Sequence, residues 1–108
     1  MKKVEKQAIE QLALGLKAHF GPRLLHTFLF GSKARGDDGP DSDIDVLVVL
    51  NRDIAESDRR DVSDIVFEVL DSCGIYIQTV VLAEEEFERP RGQLRWLTSF
   101  VRDEGIAL

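Results

Sequence analysis

The chain has one cysteine, one tryptophan, one tyrosine and three prolines in 108 residues, and it has no long apolar run. A single thiol, Cys73, forms no internal disulfide and has no second cysteine with which to build a thiolate zinc site. Placed before Gly74 at the end of a helical pattern, it reads as a small buried apolar residue. The segment from Met1 to Gln11 carries charge past the point where a secretory signal needs an apolar stretch. No run approaches the roughly 20 apolar residues of a membrane helix. The expected compartment is the reducing cytoplasm, with no membrane partner.

An excess of positive charge is lacking as well. Fourteen Lys and Arg stand against 20 Asp and Glu, a formal charge of -6, with the basic residues spread along the chain. A direct grip on a nucleic-acid backbone is therefore not expected, because such binding rests on Lys and Arg neutralising phosphates. A small anionic ligand escorted by a divalent cation is compatible with this balance. The apolar fraction of 44% is that of an ordinary folded chain, and 108 residues suit a single domain over residues 1-108.

The hydrophobic pattern alternates between helical and strand periods. Val4, Ile9, Leu12, Leu16 and Phe20 recur at three-to-four spacing, which predicts an amphipathic helix over 3–19 stopped by Gly21-Pro22. Leu24 to Phe30 predicts a buried strand, with His26 inside it in a hydrogen-bonded structural role. Ser32 to Arg35 predicts one helical turn, capped by Ser32 and ended by Gly36, before a loop from Gly36 to Pro40. Asp43 to Leu50 opens with alternation and continues as an apolar run, the pattern of a central strand whose first end meets solvent or a ligand. A second amphipathic helix follows over 54–73 and a third strand over 75–82, with Tyr76 and Gln78 on one face. Ala83 to Glu88 reads as an acidic turn and Leu94 to Val101 as a last amphipathic helix, with Trp96 packed in the core or against a partner. Gly105 to Leu108 is an apolar tail. The order predicts an α/β (α+β) fold, a small mixed β-sheet packed with α-helices.

The informative segment is Gly31-Ser32-Lys33-Ala34-Arg35-Gly36, followed by Asp43-Ile44-Asp45. A strand that runs through Gly-Ser into a helical turn presents backbone N–H groups to an anion, and Gly31 has no side chain to keep that anion away. The Ser32 hydroxyl adds a donor, and Lys33 or Arg35 can offset residual charge. Asp43 and Asp45, two apart on a strand, leave from the same face about 7 Å apart along the chain. Two facing carboxylates repel unless a cation joins them. Magnesium suits the pair, since it takes one or two carboxylates together with substrate phosphates and water. Two rival motifs fail. An EF-hand loop opening at Asp41 would need Gly and Glu where Val46 and Arg52 stand, and a Walker A loop would need a different glycine spacing and a Lys-Ser/Thr ending.

Phe30-Gly31-Ser32-Lys33-Ala34-Arg35-Gly36, then Ser42-Asp43-Ile44-Asp45 and an apolar strand, resembles the signature of the DNA polymerase β-type nucleotidyltransferase superfamily in its minimal (MNT) branch. The turn at Glu84 to Phe87 and the ending Arg102 to Ile106 resemble that branch too, so the resemblance covers nearly the whole chain. It implies the nucleotidyltransferase fold. It also implies that Gly31 and Ser32, with Lys33 and Arg35 nearby, hold the triphosphate of a nucleotide such as ATP, and that Asp43 and Asp45 are the catalytic carboxylates holding Mg2+ or Mn2+. The reaction implied is transfer of a nucleoside monophosphate to a hydroxyl with release of pyrophosphate. The partner implied is a HEPN-domain protein, to which such chains act as antitoxin. One departure stands out: the superfamily's third carboxylate, on the strand after the second helix, is replaced here by Tyr76 and Gln78, neither a good base at neutral pH. Two functions follow, a metal-dependent transferase of AMP to a hydroxyl of a protein or small molecule, and a degenerate nucleotide-binding module that acts by complex formation. A transferase acting on antibiotics or nucleic-acid ends fits less well, because nothing in the chain supplies a second domain for those acceptors.

Overall fold

A computed structural model of the chain describes residues 1–36 and 43–108. Most of the expected Gly36 to Pro40 loop, and Ser42 of the motif, lie outside those residues. Helix α1 spans Lys3–Phe20, a 3-10 turn spans Gly21–Arg23, and strand β1 runs Leu24–Phe30. The short helix α2 (Ser32–Arg35) and strand β2 (Ile44–Leu50) follow, then α3 (Glu56–Cys73), β3 (Ile77–Ala83), α4 (Glu84–Glu88), α5 (Leu94–Glu104) and β4 (Ile106–Ala107).

The sheet order is β3-β2-β1-β4, with β1 antiparallel to β2 and β4, and β2 parallel to β3. It is a mixed sheet in an α+β arrangement. β2 lies in the middle, and six of its seven residues are buried. That explains its unbroken apolar run: side chains on both faces of a central strand meet helices. One face carries Ile44, Val46, Val48 and Leu50 against Ala8, Leu12 and Leu16 of α1 and Val62, Val66 and Val69 of α3. The other carries Leu47, Val49 and Leu82 against Phe87 of α4 and Val101 of α5. The helices thus form a layer on each side of the sheet.

Several expectations change. The tail does not hang free: Ile106 and Ala107 pair with Leu29 and Phe28 as a fourth strand, and Leu108 donates its N–H to the Thr27 carbonyl at 2.8 Å. Tyr76 precedes β3 instead of lying in it, with its ring beside Phe67 and more than half its surface exposed. His26 is exposed, stacks on Phe28 and lies tilted against Phe87, so its neighbours are aromatic. Trp96 is 73% exposed, the reverse of core packing. Cys73 is only half-buried, with its Sγ 3.2 Å from Gln11 Oε1.

The start of α3 is tied to the entry of β1 by an ion pair. Arg23 donates from Nη1 and Nη2 to the two carboxylate oxygens of Asp58, each at 2.9 Å. Asp58 also accepts the N–H of Ala55 at 3.0 Å, so it caps α3 from the third helical position. The two-pronged Arg23 contact, followed by the backbone N–H, holds the Asp58 carboxyl down to about 2. A carboxyl depressed when folded adds stability above its unfolded value, and that stability is lost as pH falls from about 4 toward 2. Asp58→Asn should cost about 1 to 3 kcal/mol at neutral pH, the scale for breaking a partly buried charged hydrogen bond. Urea unfolding across pH should show a shallower acid limb below pH 4 in the variant; an unchanged limb would remove Asp58 from the account.

Candidate functional site

The site forms where β1 ends. Gly31 adopts φ +79°, a conformation that L side chains rarely take, and turns the chain out of β1 into α2. Gly31, not Ser32, is the N-cap of α2. The amides of Ala34 and Arg35 both donate to the Gly31 carbonyl at 3.1 Å. The first two amides of a helix have no intrahelical acceptor, which leaves those of Ser32 and Lys33 able to face an anion.

The antiparallel register pairs Phe30 with Asp45, which brings the Gly31 bend beside that carboxylate. The approach is close enough that a Cβ built on Gly31 would stand 2.8 Å from Asp45 Oδ2. Burial raises the pKa of Asp45, and repulsion from Asp43 raises it further. Asp45 is half-buried and Asp43 exposed, so the pair spans the boundary between protein and solvent. Register with β3 places Gln78 directly beside Asp45. A row Phe30, Asp45, Gln78 therefore crosses three strands on one face, and its charge comes from Asp45 alone.

The two cations of the motif have carboxylate partners from distant helices. Lys33, expected to offset phosphate charge, is instead buried, with its Nζ 2.7 Å from Glu5 Oε2. The reason is geometric: α2 is one turn long, and Lys33 sits on its inward side against the start of α1. Glu5 also accepts the Lys2 N–H at 2.8 Å, so one carboxylate ties the start of α1 to α2. Arg35 is exposed and pairs with Glu104 at the end of α5, at 3.2 Å. Glu5 and Glu104 carried no local mark in the sequence as partners of the motif, because each is an ordinary helix glutamate until the fold closes.

The donor set fits a divalent cation shared with a polyphosphate. Among the described residues no cluster of three or more His, Cys, Asp or Glu could hold a metal by itself. Two carboxylates that repel each other, opposite a glycine bend that a side chain would fill, leave the remaining ligand positions to phosphate oxygens and water, as magnesium prefers.

The model of the nucleotidyltransferase domain family matches residues 9–103. The chain belongs to the nucleotidyltransferase family. A Methanocaldococcus jannaschii protein named "Putative protein adenylyltransferase" is 35% identical over 85 residues, which cover 79% of this chain and 80% of that one. A solved structure described as "putative minimal nucleotidyltransferase" superposes with TM-score 0.64 at 26% identity, covering 99% of this chain and 97% of the other. A chain from a toxin–antitoxin crystal structure with AMP-PNP superposes with TM-score 0.59 at 18% identity, over 91% of this chain and 70% of that one, a likeness of fold. This nucleotidyltransferase is of the minimal type, and among its described residues no helix is long and apolar enough to cross a membrane.

Two substitutions test the electrostatics of the nucleotidyltransferase site. A carboxyl whose folded pKa is raised adds stability only below its unfolded value and loses it as pH climbs through the folded one. At neutral pH the ionised Asp45 therefore weakens the ligand-free fold. Asp45→Asn should raise the melting temperature at pH 7, because the ionised carboxyl no longer weakens the fold, and remove any stabilisation by added Mg2+. Gly31→Ala should do the opposite, losing about 1 to 3 kcal/mol through backbone strain and the Asp45 contact. Thermal melts with and without Mg2+ read both. A destabilised Asp45→Asn, or a neutral Gly31→Ala, would contradict the geometry.

Proposed function

We propose that the chain is a Mg2+- or Mn2+-dependent nucleotidyltransferase that moves AMP from ATP to a hydroxyl of a protein, with a HEPN-domain partner of a toxin–antitoxin pair as acceptor. The observation that carries the reading is the bend at Gly31 lying against the Asp45 carboxylate, with Asp43 beside it. Supporting it are the 35% identity to a protein named for protein adenylyltransfer and the fold shared with a toxin–antitoxin component.

In this reading Gly31 and Ser32 receive the triphosphate, and the absent side chain at 31 lets phosphate reach the amides of the α2 turn. Asp43 and Asp45 hold the cation, which when bound offsets triphosphate charge as the leaving pyrophosphate develops. The acceptor hydroxyl gives its proton to solvent water as its oxygen bonds to the α-phosphorus, while the bond from the α-phosphorus to the oxygen bridging it to the β-phosphate breaks and pyrophosphate leaves. Lys33 and Glu5 keep α2 in place from the protein side, and Arg35 with Glu104 closes the rim. Gln78, a carboxamide next to Asp45, adds no charge to the cation site and takes no proton from the acceptor.

That last feature favours a second reading, a module that binds nucleotide and silences its partner by complex formation. Labelled ATP with Mg2+ or Mn2+ and the HEPN-domain protein of the same genome separates the two. The transferase reading expects label on the partner and a loss of at least about 100-fold in Asp43→Asn and Asp45→Asn, the scale on which removal of one transition-state-stabilising group shows. A complex that forms and silences the partner without label in the wild type would leave only the binding module.

A further inference from the structure

Charge counted over the whole chain hides a local imbalance. Residues 89–102 contain Arg89, Arg91, Arg95 and Arg102 and not one Asp or Glu, leaving ten basic against 20 acidic residues in the rest of the chain. The same stretch carries the most exposed large aromatics, Trp96 at 73% and Phe100 at 58%. They sit one helical turn apart on α5, whose opposite side buries Thr98 and Val101. Arg102 is committed to the fold, with Cζ 4.4 Å over the Phe87 ring and Nη2 bonded to the Phe87 carbonyl. Arg95 is exposed on α5, while Arg89 and Arg91, exposed before it, line one surface pocket with Glu85 and Glu86 of α4.

From this we infer that the outward face of α5, Trp96 and Phe100 with Arg95 beside them and Arg91 just before the helix, docks an acidic segment of the protein acceptor and leads it to the site. This rests on the reading of a protein acceptor given above. Direction supports it: α5 ends at Glu104, which pairs with Arg35 of the turn that follows Gly31 and Ser32. Eight residues separate Trp96 from Glu104, about 12 Å along a helix, so a segment lying along α5 reaches the rim of the site. Trp and Arg are also the residues that dominate protein interfaces when an aromatic anchor is buried on binding. The charge pattern selects protein over nucleic acid. A polyanion longer than the patch meets the field of a chain with net charge -6, whereas a segment acidic only where it meets Arg91 and Arg95, and uncharged toward Asp103 and Glu104, needs only the local match.

The test uses a fluorescein-labelled 16-residue peptide with Leu at every fourth position and Glu and Ala elsewhere, followed by anisotropy on the full chain. Binding is expected in low salt, weakened at least about tenfold by 0.5 M NaCl, as for an interface steered by charge. Trp96→Ala with Phe100→Ala, and separately Arg91→Glu with Arg95→Glu, should each weaken it at least tenfold while melting temperatures stay unchanged. Calorimetry of Mg–ATP on the same proteins keeps the two readings apart: its loss in the wild type defeats the nucleotide site, and its retention in the variants confines their defect to docking. Failure of the peptide to bind, variants that bind as the wild type does, tighter binding of a 20-nucleotide single-stranded RNA through the same residues, or a dimer in sedimentation that Trp96→Ala abolishes would each overturn the inference.

Discussion

Residue 31 has no side chain, and that single absence lets the chain bend against a carboxylate. With a Cβ in place, an atom would stand 2.8 Å from Asp45 Oδ2 on a backbone already at φ +79°. The rest of the site follows from this approach. Register between β1 and β2 sets which carboxylate meets the bend, since Phe30 pairs with Asp45. Asp45, the one polar side chain of β2, fixes the register in turn, because a slip by one residue would turn it into the core face among Leu12, Leu16 and Val62. The core therefore aims the site. Lys33 and Glu5 then hold the following turn from behind, at the start of α1.

The arrangement is electrostatically unfavourable without a ligand. Asp43 and Asp45 lie close enough, in a poor enough solvent environment, that Asp45 resists ionisation. Natural folds keep such tension where a bound cation relieves it. Elsewhere the chain pairs its buried charges: Arg23 with Asp58 and Lys33 with Glu5. The contrast separates charges paired within the fold from the carboxylates for which a ligand role is proposed.

Much of this was legible in the sequence, for reasons that can be named. Helices α1 and α3 and strands β1 and β2 show strong periods because each buries one stripe or two full faces, and burial is what writes a period into a sequence. The pairing of Gly31 with the two aspartates was legible as a motif. What was not legible depends on contacts between distant segments. A two-residue strand such as β4 exists only because β1 offers it an edge. Lys33 reads as a phosphate ligand from the motif alone, and only the packing of α2 against the start of α1 turns it toward Glu5. Tyr76 and Gln78 looked equivalent by alternation, yet β3 begins at Ile77, and only Gln78 comes to lie beside Asp45. The arginine stretch at 89–102 was visible all along, but a count over 108 residues averages it away, and the exposure of Trp96 and Phe100 is a fact of packing.

The central claim is that the Gly31 bend and the two aspartates form one site for a cation-bridged triphosphate. The most direct measurement is anomalous diffraction from crystals grown with Mn2+ and AMP-PNP. One manganese peak is expected within ligand distance of Asp43 and Asp45 carboxylate oxygens, with phosphate density on the Ser32 amide. Manganese bound elsewhere, or a triphosphate that leaves the Gly31 bend untouched, would contradict it.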